Sequence, residues 1–225
     1  MESPKSNYKI ASFTKRGTRK LSSRKKFLHN EILPKYAIND LAIKKILLAK
    51  KKVNLEIGFG SGEFLFSLAK ANPNEIFIGC EPFETGVLQL IDKIEQNGLT
   101  NIYILADDVF LLLDKIPNAV FSKIYILFPD PWPKLRHHKR RIISQLNLDI
   151  FISKMLPDGQ LKIATDHYDY ASWIIAHLVN RDDLKWIIKQ AGDVYQPFKE
   201  YVITKYYRKA KTDDKFFFDF KLSSE

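Results

Sequence analysis

The sequence Val-Asn-Leu-Glu-Ile-Gly-Phe-Gly-Ser-Gly-Glu-Phe occupies residues 53–64 and combines an apolar run with three glycines. Residues 53–59 form a short run rich in apolar side chains, which predicts a buried strand, and the pattern of residues 62–70 predicts a helix. Glycines between a strand and a helix let the backbone approach a ligand, and the start of the helix offers free N–H groups. The stretch therefore predicts a ligand-binding turn, with a tight turn that binds nothing as the alternative.

The spacing of the glycines indicates the kind of ligand. Gly58, Gly60 and Gly62 follow a G-x-G-x-G pattern with Glu56 two residues ahead of it, whereas dinucleotide sites have G-x-G-x-x-G. The spacing resembles the S-adenosylmethionine-binding turn of Rossmann-like methyltransferases. S-adenosylmethionine has no pyrophosphate, so a nearby carboxylate is tolerated, and the ammonium of its methionine end would favour one.

Further apolar runs alternate with helical patterns along the chain. The other predicted buried strands are residues 76–81, 102–106, 124–128 and 160–164, and the other predicted helices are residues 84–97, 109–115 and 138–155. This alternation predicts an α/β fold with a parallel sheet and helices on both faces. Phe216–Leu222 alternates between apolar and polar residues. It lies too near the chain end to be followed by a crossover helix, so we predict an antiparallel strand at or near a sheet edge.

Acidic residues end the second and third predicted strands. Glu81 follows the first glycine of the turn by 23 positions, close to the ~20 positions at which an acid accepts hydrogen bonds from ribose hydroxyls. Asp107 and Asp108 end the third strand at the same carboxyl edge, where open α/β sheets bind ligands. Either of these two could accept a hydrogen bond from the exocyclic amine of adenine, and Asp108 has the alternative role of a helix N-cap.

The fourth predicted strand ends in Phe-Pro-Asp-Pro-Trp-Pro-Lys at residues 128–134. Three prolines in five positions restrict the backbone and hold Asp130 in a defined orientation. A carboxylate where the strand edge meets the cofactor can accept hydrogen bonds from the N1–H and N2–H₂ groups of a guanine, and Trp132 offers a face for stacking. The alternative is a structural loop with Trp132 packed into the core.

A basic run follows the loop directly. Seven basic or titratable side chains occupy residues 134–141, namely Lys134, Arg136, His137, His138, Lys139, Arg140 and Arg141. At the start of a predicted helix they oppose the helix dipole, so contact with a phosphate backbone explains them better than helix stability does. The adjacent histidines have no cysteine or carboxylate at ligand spacing, so we expect no metal site.

Composition narrows the class of protein. The chain has 225 residues, of which 45% are hydrophobic and 28% charged, which is typical of one globular α/β domain. No apolar run approaches the ~18 residues of a membrane span, so we expect no membrane association. The single cysteine, Cys80, indicates a reducing compartment, and we expect a cytoplasmic protein.

Positive charge is concentrated at the N-terminus. The net charge is +10, and residues 1–26 carry nine lysines and arginines against one acidic residue, Glu2. A basic arm on a nearly neutral body predicts a polyanion partner, because lysine and arginine displace counterions from phosphates. A solvated tail and a mitochondrial transit peptide remain alternatives, whereas the lack of a following apolar segment argues against a secretory signal.

The motifs described above, and the order in which they occur, resemble those of the bacterial tRNA (guanine-N7)-methyltransferase family. The matching stretches are LEIGFGSGEF at 55–64, GCEP at 79–82, FPDPWPKLRHHKRR at 128–141, ATD at 164–166 and TKYYRK at 204–209, with the basic KRGTRKLSSRKK at 15–26. The resemblance implies a Rossmann-like S-adenosylmethionine-dependent methyltransferase fold, in which a mostly parallel sheet has helices on both faces and an antiparallel C-terminal strand. It also implies a basic N-terminal arm over residues 1–30 and a single methyltransferase domain over residues 31–225.

The same resemblance implies a reaction and the residues that perform it. The reaction is methylation of guanine N7 in the variable loop of tRNA, with S-adenosylmethionine as the methyl donor. The implied cofactor residues are Glu56, Gly58, Gly60, Gly62, Glu81, Asp107, Asp108 and Asp130, with Asp130 also at the reacting centre as the catalytic residue. The implied tRNA contacts are Lys134, Asp166, Thr204, Lys205, Tyr206 and Tyr207.

Several alternatives stay open at this point. Tyr207 stands where the family usually has an acid, so a guanine contact there is uncertain, and either Asp107 or Asp108 can be the adenine ligand. A methyltransferase of an exocyclic base amine would have a [DN]-P-P-[FYW] turn, which residues 130–133 resemble in permuted order. A non-catalytic RNA-binding protein would predict a damaged glycine turn, and the glycine spacing argues against a nicotinamide dehydrogenase. The sequence is compatible with a monomer or a homodimer.

Overall fold

The computed structural model describes residues 22–209 and 214–223. Residues 1–21, which hold most of the predicted basic arm, lie outside the described part of the chain.

One twisted sheet forms the centre of the described structure. Its seven strands are β1 Val53–Ile57, β2 Ile76–Cys80, β3 Ile102–Leu105, β4 Phe121–Leu127, β5 Met155–Thr165, β6 Leu184–Trp186 and β7 Phe216–Leu222. Their order is β3-β2-β1-β4-β5-β7-β6, and β1 to β5 run parallel to one another. Strand β7 is antiparallel to both β5 and β6. The predicted parallel α/β sheet with an antiparallel strand near one edge is therefore confirmed.

Helices cover both faces of the sheet. The α-helices are α1 Ser23–Phe27, α2 Leu33–Tyr36, α3 Asp40–Leu48, α4 Glu63–Ala71, α5 Glu84–Asn97, α6 Phe110–Leu113, α7 Gln145–Lys154, α8 Tyr168–Leu178 and α9 Lys205–Lys209. A π-helical turn, Leu28–Ile32, joins α1 to α2, and 3₁₀ turns occupy Leu135–Arg140 and Ala191–Tyr195. Gly98, in the left-handed conformation with φ 64°, ends α5 at the residue that the sequence predicts.

The core consists of two apolar layers, one on each side of the sheet. Leu55 lies in register with Ile78 on one neighbouring strand and with Ile124 on the other, and all three pack in the layer that includes residues of α7 and α8. Phe77 and Tyr125 belong to the opposite layer, with residues of α4 and α5. Every residue of β1 and β2 is buried, and β2 accordingly reads as a continuous apolar run, whereas β1 also buries the polar side chains of Asn54 and Glu56.

The predicted helix over residues 138–155 is wrong in its first part and at its end. A 3₁₀ turn ends at Arg140, and α7 begins after Ser144, whose side chain accepts a hydrogen bond from the backbone N–H of Asn147 at 3.3 Å. Met155 already pairs with Phe121 as the first residue of β5. The Pro-Asp-Gly sequence at residues 157–159 does not end a helix but interrupts β5, where the register with β4 shifts.

Among the described helices and strands, six are absent from the sequence prediction, namely α1, α2, α3, α8, α9 and β6. Strand β6 has three residues and pairs only at the outer side of β7, so it has no apolar run of its own to detect. Helix α3 has an ordinary cap, because the Asn39 side chain accepts from the N–H of Ala42 at 2.8 Å. Both α3 and α8 bury apolar residues on one face.

We expect Leu55→Ala to lower the free energy of unfolding by about 2–5 kcal/mol, because Leu55 is fully buried between the two neighbouring strands. Urea denaturation followed by circular dichroism measures the change. Leu48→Ala removes the same atoms from a residue that is 70% exposed, and should change the free energy of unfolding by less than about 0.5 kcal/mol. Equal effects in the two variants would contradict the described packing.

Candidate active site at the carboxyl edge of the sheet

A cavity of about 280 Å³ opens at the carboxyl ends of β1 to β4. It lies where the chain order reverses between β1 and β4, the usual position of ligand sites in open α/β sheets. The predicted site residues that line it are Gly58, Gly60, Glu81, Asp107, Asp108 and Asp130. The structure thus brings together the ends of four strands that are far apart in the sequence.

The glycine turn forms one wall of the cavity. Gly58, Gly60 and Gly62 all have left-handed backbones, with φ of 73°, 56° and 69°. Residues with a Cβ rarely adopt this conformation, so the turn requires glycine at these positions. A Cβ on Gly58 would meet no atom within 4 Å, whereas one on Gly62 would lie 2.7 Å from Leu90. Gly62 therefore permits close packing of α4 on α5, and Gly58 leaves open space beside the cavity.

Glu81 links the glycine turn to the end of β2 by hydrogen bonds. One carboxylate oxygen accepts a hydrogen bond from the N–H of Gly60 at 2.8 Å, and the other accepts from the N–H of Phe83 at 2.9 Å. The side chain is buried, and burial raises the pKa of Glu81 while these two hydrogen bonds lower it. Each oxygen keeps a second lone pair for a ligand hydroxyl.

Glu56 lies beside the cavity but is fully enclosed. It lines a second cavity of about 20 Å³, which shares Gly58, Leu127 and Phe128 with the large one. Its Oε2 is buried without a hydrogen-bond partner. Burial, together with the charge of Glu81, raises the pKa of Glu56 to about 8. An acid oxygen without a hydrogen-bond partner, next to the glycine turn, is suited to a cationic group of a ligand, whose charge favours the ionised form of Glu56.

Asp107 and Asp108 both reach the cavity, with different local bonds. The Oδ1 of Asp107 accepts from the N–H of Asp108 at 2.8 Å. The Oδ1 of Asp108 accepts from the N–H of Phe110 at 3.0 Å, at the start of α6. The N-cap residue of α6 is Val109, so Asp108 is not the predicted cap, and its bond to Phe110 leaves the other oxygen for a ligand.

Asp130 lies exposed at the mouth of the cavity, on a strained loop. Phe128 and Trp132, two residues before and after it, have left-handed backbones with φ of 52° and 43°. Such conformations cost about 1–3 kcal/mol each for bulky residues and occur mainly at functional sites. Trp132 lines the cavity, and the guanidinium of Arg140 lies 4.9 Å from its ring centre, so Trp132 is not a buried core residue.

The basic run divides into an outer and an inner part. Lys134, Arg136 and Lys139 are exposed, as contact with phosphates requires. Burial and the surrounding cations lower the pKa of His137, which favours its neutral form. The predicted phosphate contact of Arg141 is wrong, because this side chain is only 2% exposed and points into the protein.

The segment before and within α9 borders the small cavity. Thr204 is buried there, and its hydroxyl accepts from the N–H of Tyr207 at 3.2 Å. The N–H of Lys205 donates to Glu63 at 2.5 Å, and the ring of Tyr207 packs edge-on against Phe128. The side chain of Tyr206 lies outside the described part.

Asp166 follows β5 at the same edge of the sheet and is half-buried. Among the described residues, no group of three or more His, Cys, Asp or Glu side chains is placed to hold a metal ion. No described helix combines the length and the hydropathy that a membrane span requires.

Similarity to known proteins identifies the family. Residues 50–220 match a family model described as "Putative methyltransferase". A tRNA (guanine-N(7)-)-methyltransferase of Wolbachia pipientis wMel is 38% identical over 216 residues, which cover 95% of this chain and 92% of the relative. The enzyme of the same description from Hyphomonas neptunium (strain ATCC 15444) is 36% identical over 218 residues, covering 95% of this chain and 100% of the relative. The chain belongs to the tRNA (guanine-N7)-methyltransferase family.

Solved structures agree with the fold of this methyltransferase. An antibiotic-related methyltransferase superposes with a TM-score of 0.57 and 20% identity, and covers 83% of this chain and 95% of its own. The 16S rRNA methyltransferase KamB gives a TM-score of 0.56 with 14% identity and the same coverage. At such identities the likeness shows the fold alone, and it confirms the predicted Rossmann-like methyltransferase architecture.

Two features of the site in this methyltransferase were missed by sequence reasoning. The double hydrogen bond of Glu81 to backbone N–H groups was not foreseen, because a strand-end acid carries no local sign of which turn it faces. The burial of Arg141 was hidden by the uniform basic run around it. Only the distant residues of α8 that pack on Arg141 distinguish it from its neighbours.

The raised pKa of Glu56 predicts a pH-dependent loss of stability in the protein without cofactor. The folded state holds the proton to about pH 8, whereas the unfolded chain releases it near pH 4.5, so stability falls as the pH rises between these values. Glu56→Gln removes this dependence. From pH 5 to pH 8.5, the wild-type free energy of unfolding should fall relative to the variant by on the order of 2–4 kcal/mol.

Urea denaturation of both proteins at the two pH values measures this difference, in which the contributions of titrating groups that do not interact with Glu56 cancel. Parallel pH dependences of the two proteins would show that Glu56 is ionised in the folded state.

Proposed function

We propose that this protein transfers a methyl group from S-adenosylmethionine to N7 of a guanine in the variable loop of tRNA. The observation that carries the proposal is the meeting of the glycine turn, the acidic strand ends and Asp130 in one cavity. The relatives named as tRNA (guanine-N(7)-)-methyltransferases, which match over nearly the whole chain, support the reaction and the substrate.

The charge around the cavity favours a cationic cofactor. Glu81, Asp107, Asp108 and Asp130 line it, and Glu56, which a nearby cation would ionise, lies behind the shared wall at Gly58. A dinucleotide would place its pyrophosphate among these acids, whereas the ammonium and sulfonium of S-adenosylmethionine are attracted to them. Gly58 also leaves open space on the cavity side. The residues therefore fit S-adenosylmethionine, which when bound supplies a methyl group already activated by its sulfonium.

In this proposal each acidic residue binds a different part of the cofactor. Glu56 would face the methionine ammonium, and Glu81 would accept from the ribose hydroxyls with its second lone pairs. Asp107 or Asp108 would accept from the adenine amine, beside the apolar side chains of Val109 and Phe110 that also line the cavity.

Asp130 is the proposed catalytic residue. Its carboxylate, at the mouth of the cavity, would accept hydrogen bonds from N1–H and N2–H₂ of the guanine and so turn N7 toward the methyl group. Guanine N7 carries a lone pair and no proton, so the attack requires no general base. The purine gains positive charge as the bond forms, and the fixed negative charge of Asp130 stabilises this change.

The tRNA would lie across the exposed basic residues beside the cavity. Lys134, Arg136 and Lys139 are suited to phosphate contacts, with the basic arm as a further electrostatic contributor. Asp166 and the residues Thr204, Lys205, Tyr206 and Tyr207 are proposed substrate contacts at the same edge. Because the substrate is tRNA, we place the reaction in the cytoplasm.

Incubation with labelled S-adenosylmethionine and total tRNA, followed by nucleoside analysis, tests the reaction, and Asp130→Asn tests the residue. The wild type should form 7-methylguanosine. Asp130→Asn keeps the size of the side chain but loses its charge and one acceptor oxygen, so the single-turnover rate should fall about 10²–10³-fold. The affinity for tRNA in a filter-binding assay should change much less, because the phosphate contacts remain.

Asp182→Asn makes the same chemical change at an exposed residue that does not line the cavity, and serves as the control. A wild type that forms no 7-methylguanosine would overturn the proposed reaction. A near-normal single-turnover rate in Asp130→Asn would remove Asp130 from the reacting centre.

A further inference from the structure

The buried arginine behind the catalytic loop has no role in the proposed function so far. We propose that Arg141 is a positioning residue, which holds the loop of residues 129–133 so that Asp130 faces the guanine. The proposal rests on the proposed function for its catalytic consequence, and on the described contacts of Arg141 for its physical basis.

Arg141 contacts the loop directly. Its Nε donates a hydrogen bond to the carbonyl oxygen of Pro131 at 2.9 Å, and Pro131 is the residue after Asp130. A hydrogen bond from a charged donor is stronger than one between neutral groups. Any shift of the Pro131 carbonyl would therefore break a charge-assisted bond and move the Cα of Asp130 with it.

Helix α8 fixes the position of the guanidinium. The guanidinium carbon of Arg141 lies 5.0 Å from the ring centre of Tyr170 and 4.8 Å from that of Trp173. Tyr170 is fully buried, and the indole N–H of Trp173 donates to the carbonyl oxygen of Ile143 at 2.6 Å. The two rings are thus part of the core, and they hold the planar group more firmly than a flexible surface contact would.

The loop of residues 129–133 needs support from outside because its own backbone offers few hydrogen-bond donors. Pro129, Pro131 and Pro133 have no N–H groups to donate, and the loop is flanked by the left-handed residues Phe128 and Trp132. On one side the N–H of Phe128 donates to the carbonyl oxygen of Ala164 at 2.8 Å. On the other side the bond from Arg141 holds Pro131, so Asp130 lies between two fixed points.

A buried charged group at this position lowers the stability of the fold, so stability does not explain why an arginine is present. Arg141 is 2% exposed, and its Nη2 is buried without a hydrogen-bond partner. Burial lowers the pKa of Arg141, which expresses the cost of removing its charge from water. An apolar side chain would fill the same space without this cost. A planar cation that donates to a carbonyl oxygen from Nε while it lies against two aromatic rings is a combination that arginine offers and lysine does not.

The test compares Arg141→Met with Lys139→Met, which removes an exposed cation two residues away. Arg141→Met should lower the single-turnover rate at saturating tRNA and S-adenosylmethionine at least tenfold. The salt dependence of its tRNA affinity should match that of the wild type. Lys139→Met should weaken tRNA binding and reduce its salt dependence. A reduced salt dependence in Arg141→Met would show that Arg141 contacts phosphate, and would overturn the proposal.

A double variant separates positioning from a general structural defect. If Arg141 acts through Asp130, then adding Arg141→Met to Asp130→Asn should lower the rate by less than about twofold beyond the single Asp130→Asn loss. Losses that multiply would mean that Arg141 acts elsewhere, and a normal rate in Arg141→Met would mean that it does not act at all. Should Arg141→Met fail to fold, Arg141→Lys allows the same comparison, because it keeps the charge and a donor but not the planar group.

Hydrogen exchange tests the loop without any activity. In the protein alone, amides of residues 128–134 should exchange faster in Arg141→Met than in the wild type, while those of Val53–Ile57 should be unchanged. Unchanged exchange in the loop would overturn the positioning role even if the enzyme methylates tRNA. If the wild type forms no 7-methylguanosine while the loop exchange responds as expected, the proposed reaction fails and the structural part of this proposal stands.

Discussion

The carboxylate of Glu81 joins the two chain segments on which the candidate site depends. It accepts the N–H of Gly60 in the glycine turn and the N–H of Phe83 before α5, so one side chain aligns the end of β1 with the end of β2. Two hydrogen bonds to a carboxylate, of about 1.5–3 kcal/mol each, offset part of the entropy lost when the glycines are fixed. Together with the backbone bond from the N–H of Gly58 to the carbonyl oxygen of Cys80 at 2.8 Å, they set the shape of this wall of the cavity.

The same arrangement explains why the site suits a cation. Acidic side chains from three strand ends line one cavity, Glu56 of β1 lies behind its wall, and burial raises the pKa values of Glu56, Glu81 and Asp108. Like charges held this close oppose one another, and a ligand with positive charge relieves the repulsion. A positively charged cofactor thus binds where the protein has gathered acids, while the polyanionic substrate meets the exposed cations of residues 134–139 outside the cavity.

Much of this architecture follows from local sequence, and the remainder depends on distant contacts. The strands β1 to β5 are predictable because strands buried on both faces are rich in apolar residues. The glycine turn is predictable because its left-handed backbone requires glycine. The start of α7 was predicted too early, since the basic run looked helical and its 3₁₀ turn depends on the loop before it. The inward direction of Arg141 depends on Tyr170 and Trp173, about 30 positions later in the chain, and no local pattern reveals it.

Calorimetric titration of S-adenosylmethionine into the wild type and Glu81→Gln tests the central role of this carboxylate most directly. Glutamine keeps the shape of the side chain, but its NH₂ group replaces one carboxylate oxygen. This NH₂ group faces a backbone N–H and cannot accept a hydrogen bond from it, so one of the two bonds to Gly60 and Phe83 is lost. The account predicts binding at one site per wild-type chain and an affinity at least about tenfold lower in the variant, as expected for the loss of 1.5–3 kcal/mol. Equal affinities, with both proteins folded, would contradict it.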